Sequence, residues 1–150
     1  MVVLIDINVI IDFLITREPF FESAFKVMEK CAIGEVKGYI AFHSVPNLWY
    51  ILRKISEEKR REWLMDICSF LKIVGIEHDE VLKAIQSANF KDFEDCLQDR
   101  CAKSIGASYI ITRNVADFSG SEVLAILPED FLKIIASEKE CKKNDKYSNI

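Results

Sequence analysis

The sequence predicts an α/β domain, a parallel sheet of about five strands with helices on both faces. Short apolar runs rich in β-branched residues recur at 2–5, 39–42, 72–76 and 109–111. A run that is apolar at every position suits a strand buried on both sides. Between them lie stretches whose apolar residues repeat every 3.6 positions, as in helices with one buried face. This alternation of strand and helix argues for parallel strands joined by crossover helices. With 150 residues, half of them hydrophobic and 29% charged, the chain has the size and composition of one globular domain.

The elements follow in order. Residues 2–5 form the first strand, and Asn8 can cap a short helix carrying Val9, Ile10, Phe13 and Leu14. Pro19 suits the first turn of a second helix, whose stripe is Phe20, Ala24, Val27, Met28 and Cys31. After the strand at 39–42, Ser44 is a good N-cap, and Pro46 falls in the tolerant first turn of a helix reaching Ile55. A charged run from Glu57 to Glu62 opens the next helix, with Trp63, Leu64, Ile67, Phe70 and Leu71 inward. The third strand, at 72–76, precedes a short helix at 80–88. Asp92 can cap a helix over 93–105, which Gly106 ends. The fourth strand spans 109–111, a brief fifth lies near 123–126, and Pro128 starts a last helix to about 135. The ordered domain is therefore expected over 1–136, with a polar, lysine-rich tail at 137–150.

Net charge is −4 and the sequence pI is near 5.3, so a general basic footprint for nucleic acid is missing. Local charge still governs ligand choice. No run reaches the roughly 18 apolar residues of a membrane span, and the start has no basic segment before its apolar residues, so the cytoplasm is expected. Five cysteines, widely spaced and without a C-x-x-C pair, argue for reduced core residues, and two histidines offer little for zinc.

Ligands of open α/β sheets bind beyond the carboxyl ends of the strands. The first strand runs into Asp6, and the fourth into Thr112, Arg113, Asn114 and Asp117. Asp92, Asp95 and Asp99 share one helical face by their spacing. Carboxylates that converge without a cation raise one another's pKa, and hard oxygen ligands suit Mg²⁺ or Mn²⁺. Such an ion can polarise a phosphoryl oxygen and lower the pKa of a bound water, which is nuclease chemistry. Each residue also has a structural reading. Asp6 can end a strand in a turn, Asp92 can be an N-cap, Asp95 can favour the helix dipole, and Asp117 can cap a turn. Asn8 reads first as a turn or cap former, and Asp12 and Asp99 as solvated helix faces.

Taken together, three segments resemble the PIN-domain family. They are Val3 to Asp12, then Asp92-Phe93-Glu94-Asp95-Cys96-Leu97-Gln98, then Gly106 to Asn114 with Asp117-Phe118, in the family's order and covering about residues 2–135. The resemblance implies a three-layer α/β/α fold and, in many members, a metal-dependent ribonuclease that is often the toxin of a toxin–antitoxin pair. By position it implies that Asp6, Asp95 and Asp117 are catalytic and bind Mg²⁺ or Mn²⁺. Asn114, Asp92, Asn8 and Thr112 would support them. Where many PIN domains carry a glutamate after the second strand, this chain has Asn47, which reads as a variant ligand or an orienting residue; at the third helical position it can also reach back to the Ser44 backbone.

Arg113 adjoins the expected pocket and reads as a phosphate-binding group for RNA, whereas Arg53, Lys54, Lys59, Arg60 and Arg61 interleave with glutamates as solvated charge. An antitoxin protein and a second copy of the chain are the expected partners, the latter because PIN domains commonly form homodimers. Asn47 favours an alternative: a catalytically weak or inactive module that binds RNA or protein. A phosphatase of the haloacid-dehalogenase type also begins with an apolar strand and an Asp, but needs a second Asp where Asn8 stands.

Overall fold

The computed structural model describes residues 1–147, with side chains described through Cys141. Five strands, β1 (Val2–Ile5), β2 (Lys37–Ala41), β3 (Lys72–Val74), β4 (Tyr109–Ile111) and β5 (Ala125–Ile126), form one parallel sheet. Their order is β3-β2-β1-β4-β5. Central β1 pairs Leu4 with Tyr39 on one side and with Ile110 on the other.

Among the described residues seven α-helices, with two short 3-10 turns, cover the sheet: α1 (Ile7–Leu14), α2 (Phe21–Ala32), α3 (Ser44–Ile51), α4 (Glu57–Phe70), α5 (His78–Gln86), α6 (Phe93–Ser104) and α7 (Pro128–Tyr147). Successive strand residues point to opposite faces. Val3, Ile5, Ile40 and Ile111 pack against α1, α2, α3, α4 and α7 through Val9, Val27, Met28, Leu48, Ile67 and Phe131. Leu4, Ala41 and Ile110 pack against α6 through Cys101 and Ala102. The architecture is thus the expected α/β/α sandwich. Gly38 is where α2 and α4 close onto β2: a Cβ there would lie 2.5 Å from Leu71 Cδ2 and 2.7 Å from Cys31 Sγ.

Several boundaries differ from expectation for identifiable reasons. β2 begins at Lys37, whose N–H donates to Met1 O, so the ladder starts on polar residues that an apolar run does not reveal. β5 is shorter than 123–126, because the Val123 N–H is taken by the Asp99 carboxylate. Ser44 is the first residue of α3 rather than its cap, and its hydroxyl is buried without a partner. Asp6, not Asn8, occupies the N-cap position of α1. The last helix passes the expected end near 135 and continues to Tyr147, where a tail was expected. No Gly or Pro interrupts residues 129–147, and Lys139 pairs with Glu35 at 2.8 Å. Residues 148–150 of that tail lie outside the described residues.

Cys31, Cys96 and Cys101 are buried as anticipated, but Cys141 is exposed. Burial pushes the Cys31 thiol up to about 12 and Cys101 to about 11. Among the described residues no helix is long and apolar enough to cross a membrane.

Candidate active site

From β1 the chain crosses to β2 on one side, while β4 lies on the other. The crevice between the carboxyl ends of β1 and β4 is therefore a switch point, where α/β sheets bind ligands. Asp6 stands there, only 4% exposed. Its backbone N–H donates to Ile111 O at 3.0 Å, tying the two strand ends together.

Three side-chain donors fix the Asp6 carboxylate. Gln98 Nε2 donates to Oδ1 at 3.0 Å, and Thr112 Oγ1 and Asn8 Nδ2 donate to Oδ2 at 2.7 and 2.5 Å. Asn8 also donates to Thr112 Oγ1 at 3.1 Å and accepts from the Arg113 backbone N–H at 3.2 Å. The Asn114 N–H closes the network on Thr112 Oγ1 at 3.0 Å. Burial raises the Asp6 pKa more than the bonds to Thr112, Gln98 and the Ile7 backbone lower it, and Glu94 pushes it up further.

Asp95 lies in the first turn of α6, half-buried, with a pKa pushed up to about 7. Burial is the main cause, followed by the charges of Asp6, Asp92, Asp117 and Glu94. Those influences place five carboxylates around one end of the sheet. Asp92 caps α6 by accepting from the Glu94 N–H at 2.8 Å, the structural role open to it, and its charge acts on Asp95. Asp117 is exposed in the 3-10 turn Val115–Phe118, with its N–H donating to Asn114 O at 3.0 Å.

Three residues absent from the sequence-based set join the site. Glu94 accepts from Asn47 Nδ2 at 2.8 Å. Gln98 is 1% exposed, and its Oε1 is buried without a partner beside Asp6. His43 faces the Glu94 backbone and Asp6; burial, the largest influence, lowers its pKa. Only Gln98 carried a usable signal, three residues beyond Asp95 on the same helical face.

Other expectations are corrected. Asp99 does not share the solvated face of Asp92 and Asp95: it is buried and accepts from Ser121 Oγ and from the Glu122 and Val123 N–H groups. Asp12 is 1% exposed instead of solvated. Arg113, expected as an RNA-phosphate residue, is paired with this buried carboxylate. Its Nε lies 2.5 Å from Asp12 Oδ2, and its guanidinium stacks 4.4 Å from the Phe20 ring centre. The Nε–H does not point along the line to the oxygen, so this is a charge pair more than a linear hydrogen bond. Asn47 reaches Glu94, not the Ser44 backbone.

Carboxylate and amide oxygens are the hard donors that Mg²⁺ and Mn²⁺ select. The unpaired, buried Gln98 Oε1 is a further polar atom for an ion or its water. Among the described residues no three His, Cys, Asp or Glu side chains already surround a common point. Asp92 and Asp117 are exposed and Glu94 and Asp95 half-buried, so these carboxylates are open to an incoming ion. The donor set therefore fits a divalent cation.

A family model described as PIN domain matches residues 2–116. The chain belongs to the PIN-domain family. Ribonuclease VapC1 of Aquifex aeolicus is 26% identical over 133 residues, covering 86% of this chain and 92% of that relative. Among solved structures, VapBC2 from Rickettsia felis, bound to a DNA fragment from its promoter, superposes with a TM-score of 0.63 at 16% identity, covering 85% of this chain and 98% of that one. PAE2754 from Pyrobaculum aerophilum gives 0.58 at 20% identity, with 91% and 99% covered. PIN membership displaces the phosphatase alternative, and Asn8 is committed to Asp6 and Thr112.

Proposed function

We propose that this chain is a Mg²⁺- or Mn²⁺-dependent ribonuclease that hydrolyses phosphodiester bonds of RNA and acts as the toxin of a toxin–antitoxin pair. The observation that carries the reading is the Asp6–Asp95 pair at the switch point: one carboxylate clamped by three donors, the other pushed up to about 7 by burial and by surrounding carboxylates. The charge of Asp6 raises the Asp95 pKa, and a bound cation would relieve that repulsion. The likeness to Ribonuclease VapC1 supports RNA as substrate, and with the VapBC2 likeness it supports an antitoxin partner.

In this reading Asp6, Asp95 and Asp117 hold the ion. A bound Mg²⁺ or Mn²⁺ supplies a Lewis acid for a phosphoryl oxygen and lowers the pKa of a water. Gln98, Thr112 and Asn8 keep the Asp6 oxygens in one orientation, so little reorganisation is needed when the ion arrives. Asp95 would have to give up its proton to serve as a ligand, so affinity should fall with acidity. Asn47 brings no charge of its own, which favours a weaker catalyst or a binding module as the second reading.

The test is incubation of labelled single-stranded RNA with the purified chain in Mg²⁺, Mn²⁺ or EDTA, beside an Asp6→Asn/Asp95→Asn variant. Metal-dependent cleavage lost in the variant is the expected result. No cleavage by the folded chain in either metal would favour the binding module.

A further inference from the structure

The amide at position 47 makes one contact that changes how the acidic cluster is composed. Asn47 Nδ2 donates to Glu94 Oε1 at 2.8 Å, across 47 residues of chain. Glu94 is the second residue of α6, directly before Asp95. Its charge acts on both Asp6 and Asp95. The Asn47 bond occupies one carboxylate oxygen, and the other accepts no protein hydrogen bond among the described residues. Beside the same centre lies the buried, unpartnered Gln98 Oε1. A glutamate at 47 would face Glu94 as a like charge, whereas asparagine offers it a donor. That corner therefore carries a single negative charge, placed on α6 instead of α3.

The geometry points to Glu94 as a metal-binding carboxylate of this site and to Asn47 as the residue that positions it. The inference rests on the divalent-metal reading above. It makes Asn47 part of a complete site, with the charge relocated to its hydrogen-bonded neighbour. An orienting partner of a ligand typically changes metal affinity by about 10- to 100-fold.

Glu94→Gln isolates the charge, because the glutamine oxygen can still accept from Asn47. The experiment is a calorimetric titration of the purified full chain with Mn²⁺, with circular dichroism to confirm folding. Glu94→Gln is expected to weaken Mn²⁺ binding at least about tenfold, and Asn47→Ala by about tenfold. The exchange variant Asn47→Glu/Glu94→Gln, which returns the charge to α3, is expected to recover affinity to within about threefold of wild type. Wild-type affinity in Glu94→Gln, while Asp6→Asn loses binding, would overturn the role of Glu94 and leave the metal reading standing. Failure of the exchange variant to recover would show that the charge is not transferable between the two positions, and would overturn the inference. No Mn²⁺ binding by the wild type would overturn both.

Discussion

Replacing Arg113 by methionine removes the countercharge of a carboxylate that water barely reaches. Asp12 is 1% exposed, and burial raises its pKa more than Arg113 and Arg17 lower it. The carboxylate is therefore under-compensated even with its partner at 2.5 Å. Removing one member of a buried pair destabilises by about 3–5 kcal/mol. Loss of the stacking on Phe20 adds about 0.5–1 kcal/mol. For a chain of this size each kcal/mol lowers Tm by about 2–4 °C, so Arg113→Met should lose about 7–24 °C. Asp12→Leu should lose less, because Arg113 is 21% exposed and can turn toward water. The double variant Asp12→Leu/Arg113→Met should recover most of the loss, as apolar replacements of buried pairs commonly do. Urea unfolding of the four proteins gives the cycle directly. If Arg113→Met kept wild-type stability but lost affinity for RNA, the guanidinium would be a phosphate-binding group and the structural assignment wrong.

Two further outcomes follow from other parts of the structure. Asp99→Ala strips the acceptor from the buried Val123 N–H and should destabilise by about 1–3 kcal/mol in urea unfolding; RNA affinity should be unchanged in the fraction that remains folded. Asp95 has a folded-state pKa of about 7 against an ordinary 3.8, so the metal-free folded chain binds this proton more tightly than the unfolded one. The stability so contributed is full below the ordinary value and lost as pH rises through the folded value. The Tm of the metal-free wild type should therefore fall relative to that of Asp95→Asn between pH 5 and pH 8, and Mn²⁺ should narrow the difference; equal pH profiles for the two proteins would contradict the shift.

β1 and β4 were legible because burial on both faces demands apolar runs, and 109–111 is bounded as anticipated. The start of α6 was legible because its cap is local: Asp92 binds an N–H two residues away. Gly106, with φ of 61°, ends the helix where a left-handed residue is needed. Motif order singles out Asp6, Asp95 and Asp117, and in the structure the charges of Asp6 and Asp117 both act on Asp95. What was not legible depends on side-chain direction. Asp12 and Asp99 look like solvated helix residues until the fold shows what lies opposite, Arg113 in one case and the chain at 121–123 in the other. Gln98 shares a helical face with Asp95, but its bond to Asp6 spans 92 residues and that of Asn47 to Glu94 spans 47, and helical periodicity does not reveal partners so distant. The length of α7 was missed for another reason. Lysine and glutamate favour helix and solvent alike, so polarity alone does not mark a helix end.

The most direct test of the central claim is the cleavage rate of single-stranded RNA in Mn²⁺ by wild type and by Asp6→Asn. The ion is expected to provide several kcal/mol of transition-state stabilisation, so the variant should be at least about a hundredfold slower while remaining folded. EDTA should bring wild type down to the variant's rate. Equal rates for the two proteins in Mn²⁺, or wild-type cleavage that persists undiminished in EDTA, would contradict a metal site built on Asp6.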